Sequence, residues 1–280
     1  MEAESPPDLA RLDVLSAPQG AAIAGKRYRL GRIFAADGRS VVLPVDHGLM
    51  FGRLAGLEDP AALVHRFLSL PCDGFLLGPG LLARTSEWFA SRHAPARLLT
   101  LDSYWRGPDS GRSVRVVSLQ RAIQLGVDAV KVLMPWDVTP EERARNAAFV
   151  ADVLSDAEPF GLPVMVEPIC LALPRGPAAV ALEADGCRMA AELGADIIKV
   201  AWPGEGETLA RWAHELGVPL LMLGGPAGGS ADELCAMVAE AVAAGAAGIT
   251  IGRRVWQRPP DEAAALVERL AAIVHPEKRR

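Results

Sequence analysis

The sequence predicts an α/β protein, namely a single-domain (β/α)8 (TIM) barrel with a short N-terminal helical extension. Two observations favour this fold. From residue 41 onward, short apolar runs bounded by Gly, Pro or Asp alternate with longer segments of helical period. The runs are continuously apolar, which is typical of strands covered on both faces. Eight such units over roughly 240 residues match the size of a (β/α)8 barrel.

The predicted elements follow one another in a regular order. Residues 1–26 form an N-terminal arm with one helix at Asp8–Leu15, and residues 27–280 form the barrel domain, whose bottom is closed by a helix at Arg27–Phe34. The predicted strands are Val41–Val45, Gly74–Leu77, Leu98–Leu101, Ala129–Leu133, Val164–Glu167, Ile197–Val200, Leu220–Leu223 and Gly248–Ile251. The predicted helices between them include Pro60–Leu70, Thr139–Ser155, Val180–Leu193, Glu207–Leu216, Ala231–Ala243 and Asp261–Val274.

A doubly wound parallel sheet is the alternative fold. Such a sheet usually carries a glycine-rich turn straight after its first strand. Here the first predicted strand is followed by Asp46-His47-Gly48, which does not resemble that turn. The composition does not shift along the chain in a way that marks a second domain, so the single barrel is preferred.

Composition excludes several classes of function. The 280-residue chain has a net charge of −5 and no basic patch beyond its C-terminal tail, which disfavours nucleic acid as a partner. The four cysteines are far apart, which argues against a zinc site or a disulfide framework and favours a reducing compartment. No apolar run is long enough to span a membrane. We therefore expect a cytoplasmic protein that acts on a small molecule, with no metal and no cofactor.

Lysine is rare in this chain, and two lysines lie in unusual places. Of the 29 basic residues four are lysine, and Lys131 and Lys199 each end an apolar run within a repeated Leu-Gly-(Val/Ala)-Asp unit. An ammonium group is costly to bury unless it is paired or neutral. A desolvated lysine is what a Schiff-base nucleophile requires. The alternative is a strand-end lysine that pairs with a carboxylate for structural reasons.

Further reactive side chains fall at the ends of predicted strands, where barrels hold their active sites. Asp46 and His47 follow the first strand, and Glu167 ends the fifth. A glutamate that ends an apolar strand seldom lies in a core without a role, and we expect His47 to support the site without reacting. A capped turn at Asp46 and an arginine partner for Glu167 are the alternatives. Trp136 and Asp137, after the fourth strand, either touch substrate or belong to a surface loop.

Glycine turns follow the last two predicted strands. Gly224 and Gly225 come after the seventh strand, and Gly252 and Arg253 come after the eighth. Barrels commonly bind a phosphate at these two positions through free backbone N–H groups, and an arginine adds charge. The pattern predicts a phosphate site, although ordinary tight turns have the same composition.

Several of these segments resemble class I aldolases, from about residue 27 onward. The most specific are Val45-Asp46-His47-Gly48, Asp196-Ile197-Ile198-Lys199, Gly224-Gly225-Pro226, and Gly252-Arg253 with Val255-Trp256-Gln257. They are similar to archaeal-type fructose-bisphosphate aldolases and to the aldolase-like synthase of early aromatic biosynthesis. The strand of Lys131 and the position of Glu167 look more like class I tagatose-bisphosphate aldolases.

The resemblance implies a metal-independent carbon–carbon lyase that assembles into homo-oligomers. Lys199 would form a Schiff base with a donor that resembles dihydroxyacetone phosphate, with Asp46 beside it. The two glycine turns and Arg253 would hold the phosphate of this donor. Lys131 would either favour the neutral amine of Lys199 by charge repulsion or bind a substrate oxygen.

One departure from the archaeal-type pattern bears on the substrate. Those enzymes use a tyrosine after the fifth strand as acid and base, close to a Pro-Arg-Gly, whereas this chain has Leu173-Pro174-Arg175-Gly176 there. Glu167 is therefore expected to take the proton-transfer role. A biosynthetic synthase that joins a keto-phosphate donor to an aldehyde such as aspartate semialdehyde is a second hypothesis. A phosphosugar-binding barrel without catalysis is a third.

Overall fold

The protein forms a closed barrel of parallel strands in the computed structural model, which describes residues 21–106 and 111–276. The described strands are β1 (Ser40–Pro44), β2 (Gly74–Leu77), β3 (Ala96–Thr100), β4 (Asp102–Arg106), β5 (Gly111–Arg115), β6 (Ala129–Pro135), β7 (Val164–Ile169), β8 (Ile197–Ala201), β9 (Leu220–Leu223) and β10 (Gly248–Thr250). Around the barrel they follow the order β1-β10-β9-β8-β7-β6-β3-β2. This closed ring confirms the (β/α)8 prediction and excludes the doubly wound sheet.

Helices separate the barrel strands along the chain. Those described are α1 (Ala21–Ile33), α2 (Gly48–Phe51), α3 (Pro60–Phe67), α4 (Pro79–Arg84), α5 (Leu119–Gln124), α6 (Pro140–Ala157), α7 (Pro177–Leu193), α8 (Gly206–Leu216), α9 (Ala231–Ala243), α10 (Arg253–Trp256) and α11 (Pro260–Val274). Each of the eight predicted strands lies within two residues of a barrel strand at either end. In the described part of the chain, no helix is both long and apolar enough to cross a membrane.

Local sequence explains where the long helices begin and end. Helices α6 and α9 begin with capping boxes, in which Thr139 and Ser230 accept from the amide three residues on, and the glutamate there bonds back. Helix α7 ends at Gly194, whose φ of 98° is a left-handed conformation that glycine adopts at little cost. This sharp stop leads directly into β8, the strand that carries Lys199.

The bottom of the barrel is closed by α1, as predicted, although this helix begins at Ala21 rather than at Arg27. Its residues Leu30 and Ile33, followed by Phe34, pack against an apolar layer inside the barrel. That layer consists of inward-facing strand residues, namely Val42, Leu76, Leu98, Ala129, Met165, Ile197 and Leu221. The helix predicted at Asp8–Leu15 lies outside the described residues, and the division into an arm at 1–26 and a barrel at 27–280 stays a prediction.

An antiparallel hairpin, formed by β4 and β5, interrupts the regular order between β3 and α5. The sequence analysis did not predict it. The hairpin starts at the C-terminal end of β3, and β4 lies against α2 and β6. The first residue of β4, Asp102, is buried at the mouth of the barrel. The hairpin therefore contributes to the end of the barrel at which the catalytic residues are expected.

The C-terminal end of α11 is fixed to the bottom of the barrel by one histidine. The ring of His275 contacts Asp37 through Nδ1 at 2.7 Å and Asp73 through Nε2 at 2.8 Å. These aspartates lie just before β1 and β2, at the N-terminal ends of the strands. Burial lowers the pKa of His275, but the two aspartates outweigh it, so the pKa is raised above its usual value of 6.5. The imidazolium therefore stabilises the fold.

We expect replacement of His275 by glutamine to lower the free energy of unfolding by about 1–3 kcal/mol near pH 6. Because the folded pKa is raised, the stabilisation is complete below the unfolded pKa and is lost as the pH rises through the folded pKa. The difference in melting temperature between the wild type and this variant should therefore shrink from pH 6 to pH 9. His214→Gln, on the exposed face of α8, is the control. A difference that is constant with pH would contradict the charged bridge.

Candidate active site

The C-terminal ends of the barrel strands surround one pocket that contains every predicted site residue. It has a volume of about 700 Å³, including its open mouth. The predicted residues that line it are Asp46, His47, Lys131, Glu167, Lys199, Gly224, Gly225, Gly252 and Arg253. Nine residues drawn from six strand ends thus meet in a single space.

A row of three charged side chains crosses the pocket floor on the adjacent strands β6, β7 and β8. Side chains alternate between the two faces of a strand, so Lys131, Glu167 and Lys199 face inward, each two positions above the apolar interior layer. Glu167 bridges the two lysines, with Oε2 2.6 Å from the Nζ of Lys131 and Oε1 3.1 Å from the Nζ of Lys199. All three are at most 7% exposed. The carboxylate can thus exchange protons with either amine.

The opposite charges in this row stabilise the ionised forms of Glu167 and Lys131. Burial alone would raise the pKa of Glu167, but Lys131 and Lys199 outweigh that effect, so the pKa lies below its usual value. Burial likewise would lower the pKa of Lys131, but Glu167, Asp46 and Asp102 hold it above its usual value. Glu167 is therefore ionised at neutral pH, and Lys131 is a permanent cation beside it.

Asp46 and His47 lie next to this row. Asp46 accepts a hydrogen bond from the hydroxyl of Thr100 at 2.6 Å, and its other oxygen is 3.5 Å from Nδ1 of His47. Burial raises the pKa of Asp46, but His47, Lys131 and Lys199 bring it below its usual value. Burial lowers the pKa of His47 to about 4, with Lys199 and Arg253 adding to the effect and Asp46 opposing it. His47 is therefore neutral at pH 7.

Two glycine turns form the wall of the pocket above β9 and β10. A side chain at Gly224 would bring its Cβ within 2.6 Å of Ile251, and one at Gly252 within 2.8 Å of the Pro44 carbonyl oxygen. Gly225 has a φ of 72°, which disfavours other residues. Arg253 donates to the Gly225 carbonyl at 3.4 Å and lies over the ring of Phe51 at 5.2 Å. Glycine at these positions is therefore required by the packing and conformation of the turns themselves.

The structure corrects one sequence-based option and adds residues to the site. Neither Trp136 nor Asp137 lines the pocket. Trp136 is buried in the apolar core, and Asp137 accepts hydrogen bonds from the Ala172 and Leu173 amides. The polar lining residues that the sequence analysis missed are Thr100, Asp102, Ser103 and Thr250. A carboxylate straight after the apolar run Leu98–Leu101 is the same signal that identified Glu167, and it would have found Asp102.

The loop at Leu173–Gly176, where archaeal-type aldolases carry a tyrosine, is held by contacts away from the pocket. Arg175, in the segment Leu173–Gly176, forms an ion pair with the buried Glu183 and donates to the Trp202 carbonyl. It does not line the pocket. Across residues 21–106 and 111–276, no group of three His, Cys, Asp or Glu side chains is placed to hold a metal ion.

Comparisons with known proteins agree with this geometry. An uncharacterised aldolase of Saccharolobus solfataricus is 29% identical over 90% of this chain and 94% of its own length. The 2-amino-3,7-dideoxy-D-threo-hept-6-ulosonate synthase of Halobacterium salinarum is 31% identical over 90% of this chain and 92% of its own. An archaeal fructose-1,6-bisphosphate aldolase, solved with its catalytic lysine bound to a carbinolamine intermediate, superposes with a TM-score of 0.75 at 27% identity, covering 89% and 99% of the two chains.

A lysine-bearing (β/α)8 barrel with these relatives is a class I aldolase, an enzyme that makes or breaks carbon–carbon bonds through an imine on a lysine. The sequence model described as DeoC/LacD family aldolase matches residues 40–258. The chain belongs to this family. The resemblance inferred from the sequence is confirmed, and the barrel is an enzyme rather than a binding protein without catalysis.

Proposed function

We propose that Lys199 is the nucleophile and forms the Schiff base with the ketone of a donor similar to dihydroxyacetone phosphate. Its Nζ attacks the carbonyl carbon to give a carbinolamine, which loses water to give an iminium ion. The iminium withdraws electrons, so the carbon next to it loses a proton or a C–C bond there breaks or forms. The observation that carries this assignment is that Lys199 lines the pocket 3.1 Å from the ionised Glu167, whereas Glu167, Asp46 and Asp102 hold Lys131 as a cation.

Glu167 is the proposed acid and base. It reaches the Lys199 amine, so it can protonate the departing carbinolamine hydroxyl and later take a proton from the donor carbon. Asp46, held by Thr100, assists from the neighbouring side of the pocket. The raised pKa of Lys131 favours a role as a cation that binds a substrate oxygen and keeps Glu167 ionised. His47, neutral at pH 7, supports Asp46.

The phosphate of the donor is proposed to bind at the two glycine turns, against backbone amides and Arg253. Arg253→Ala should then raise the KM for dihydroxyacetone phosphate about 10- to 100-fold, because hydrogen bonds between charged groups contribute about 1.5–3 kcal/mol. The KM for unphosphorylated dihydroxyacetone should hardly change. Steady-state kinetics with both donors measure this difference. Arg254→Ala removes the neighbouring guanidinium, which faces Glu233, and serves as the control. Equal effects on both donors would argue against the phosphate site.

Two reactions fit this chemistry. In one, the enzyme reversibly cleaves a ketose phosphate. The similarity to an archaeal fructose-1,6-bisphosphate aldolase supports this reaction. In the other, it is a biosynthetic synthase that joins a keto-phosphate donor to an aldehyde such as aspartate semialdehyde. The 31% identity to the Halobacterium salinarum synthase supports the second reaction. A panel of acceptor aldehydes with one labelled donor separates the two.

Trapping with borohydride tests the nucleophile directly. Borohydride reduces the imine to a stable amine, so incubation with dihydroxyacetone phosphate should add the reduced donor to the protein, and peptide mass spectrometry should locate it on Lys199. Added EDTA should leave the rate unchanged. A donor adduct on any other residue, or turnover without an adduct, would disprove the assignment.

The proposal extends to the setting of the enzyme. We expect it to act in the cytoplasm, where its four free cysteines would stay reduced. We also expect it to assemble into homo-oligomers. Sedimentation of the purified full-length chain measures the second expectation.

A further inference from the structure

Asp102 is a buried carboxylate in the pocket to which the proposed chemistry assigns no role. It lies at the start of β4, lines the pocket and is 1% exposed. Its Oδ2 accepts a hydrogen bond from the Leu133 amide at 3.0 Å. Its Oδ1 is buried and has no hydrogen-bond partner of good geometry among the described residues. The Ser113 hydroxyl lies near enough to lower the pKa of Asp102, although it also makes a long contact of 3.4 Å with the Leu133 carbonyl.

An unpaired acceptor of this kind is uncommon. Leaving a buried acceptor without a donor costs about 1–3 kcal/mol, and more for a charged group. Native structures contain few such atoms, and each calls for an explanation, such as strain, a bound water or ion, or a ligand. Burial raises the pKa of Asp102 to about 6, although Lys131, the Leu133 amide and Ser113 counteract it. At pH 7 the carboxylate is therefore mainly ionised and is a strong acceptor for a ligand donor.

The order of strands around the barrel indicates which part of a substrate Asp102 meets. The glycine turns follow β9 and β10, whereas Asp102 follows β3, which is four strands from β9 in either direction around the ring of eight. Lys199 and Glu167 lie between these two sides on β8 and β7. A donor with its phosphate at the turns and its ketone at Lys199 therefore directs its reacting carbon, and the aldehyde joined to it, towards β3 and β6.

Both charged and apolar residues share the pocket with Asp102. Lys131 and Glu167 lie near enough to act on its pKa, in opposite directions, and Leu49, Leu133, Ile169 and Leu171 also line the pocket. Ser103 faces the same space, but its hydroxyl donates to the Leu49 carbonyl at 2.6 Å. Asp102 therefore offers an acceptor in a partly apolar pocket, which suits a small aldehyde that carries one polar donor group.

Resting on the proposed function, we propose that Asp102 determines acceptor specificity, by accepting through Oδ1 a hydrogen bond from a hydroxyl or ammonium group of the acceptor aldehyde. A site built to pair with such a group rejects the analogue that lacks it, because the buried acceptor is then left unpaired. Asp102 contacts substrate in this role but does not take part in bond making.

Two aldehydes that differ by one hydroxyl test the proposal. Lactaldehyde and propanal are each condensed with dihydroxyacetone phosphate, and kcat/KM for the aldehyde is compared. The wild type should prefer lactaldehyde, and Asp102→Asn should reduce this preference at least about tenfold. The asparagine oxygen can still accept from the Leu133 amide, so the fold is preserved.

Asp137→Asn is the matched control. Asp137 also accepts backbone hydrogen bonds through one oxygen and leaves a buried Oδ1 unpaired, but it lies outside the pocket. This variant should keep the preference of the wild type.

Borohydride trapping of the donor separates the failure of this proposal from that of the proposed function. If the donor is trapped on Lys199 in Asp102→Asn and the preference falls, the proposal holds. If the donor is trapped but the preference matches the wild type, or if the wild type has no preference or uses neither aldehyde, the proposal is overturned while the nucleophile stands. Absence of trapping in the wild type would overturn the proposed function itself.

Discussion

Lys199→Met should lower kcat at least about 10⁴-fold, since removal of a covalent nucleophile leaves only binding and electrostatic effects. The substitution keeps a long, unbranched side chain in the barrel, so the fold should survive. It also removes one of the two cations that Glu167 contacts, while Lys131 stays 2.6 Å from the carboxylate and keeps it paired. Melting temperature and kcat, measured on the same preparation, separate loss of function from loss of structure.

Lys131→Met is the matched comparison for the lysine. Lys131 lies on β6 and is the second lysine partner of Glu167. Its removal therefore disturbs the same buried cluster but leaves the proposed nucleophile in place. Borohydride reduction should still trap the donor on the Lys131→Met variant, even if turnover is slow. It should trap no donor on the Lys199→Met variant. An adduct that persists in Lys199→Met and disappears in Lys131→Met would exchange the roles of the two lysines.

Glu167→Gln should reduce kcat by about 10²- to 10⁴-fold, the range for loss of a positioned acid and base. The glutamine keeps the shape of the side chain but cannot carry the proton between Lys199 and the donor. Exchange of the donor proton with deuterated water, followed by NMR, should slow in parallel with kcat. Exchange at the rate of the wild type would move the base to another residue, with Asp46 the next candidate.

A second buried glutamate provides the control for this substitution. Glu183 is 1% exposed and forms an ion pair with Arg175 outside the pocket. Glu183→Gln therefore also breaks an ion pair of a buried glutamate, although its arginine partner stays half-exposed to solvent. We expect Glu183→Gln to lower the melting temperature without lowering kcat at a temperature where it is folded.

The barrel and most of its pocket could be predicted from the sequence for a physical reason. A strand covered on both faces must be apolar throughout, so the runs at Ala129–Leu133 and Ile197–Val200 mark strands, and a lysine in each is an exception that a packed core does not tolerate without a partner. The same two runs thus indicate both the strands and the buried lysines that interrupt them. The glycine turns were visible because a side chain at Gly224 or Gly252 would clash with Ile251 or with the Pro44 carbonyl.

The features that the sequence did not predict depend on long-range contacts. The strand β4, Asp102–Arg106, has no apolar run and forms only by pairing with β5. The bridge from Glu167 to both lysines depends on three strands meeting side by side at the right height in the barrel. The loop at Asp137 was ambiguous because its partners, the Ala172 and Leu173 amides, follow a different strand. Local pattern carries no information on such pairings.

The anchoring of α1 and His275 at the bottom of the barrel has a practical consequence for work with the enzyme. Lys26 and Arg32 of α1 contact Asp196 and Asp128, which precede β8 and β6. His275 contacts aspartates at the same end of the barrel. Both ends of the described chain therefore lie on the face opposite the pocket. A label attached within α1 or beside His275 would therefore leave the way for substrate open.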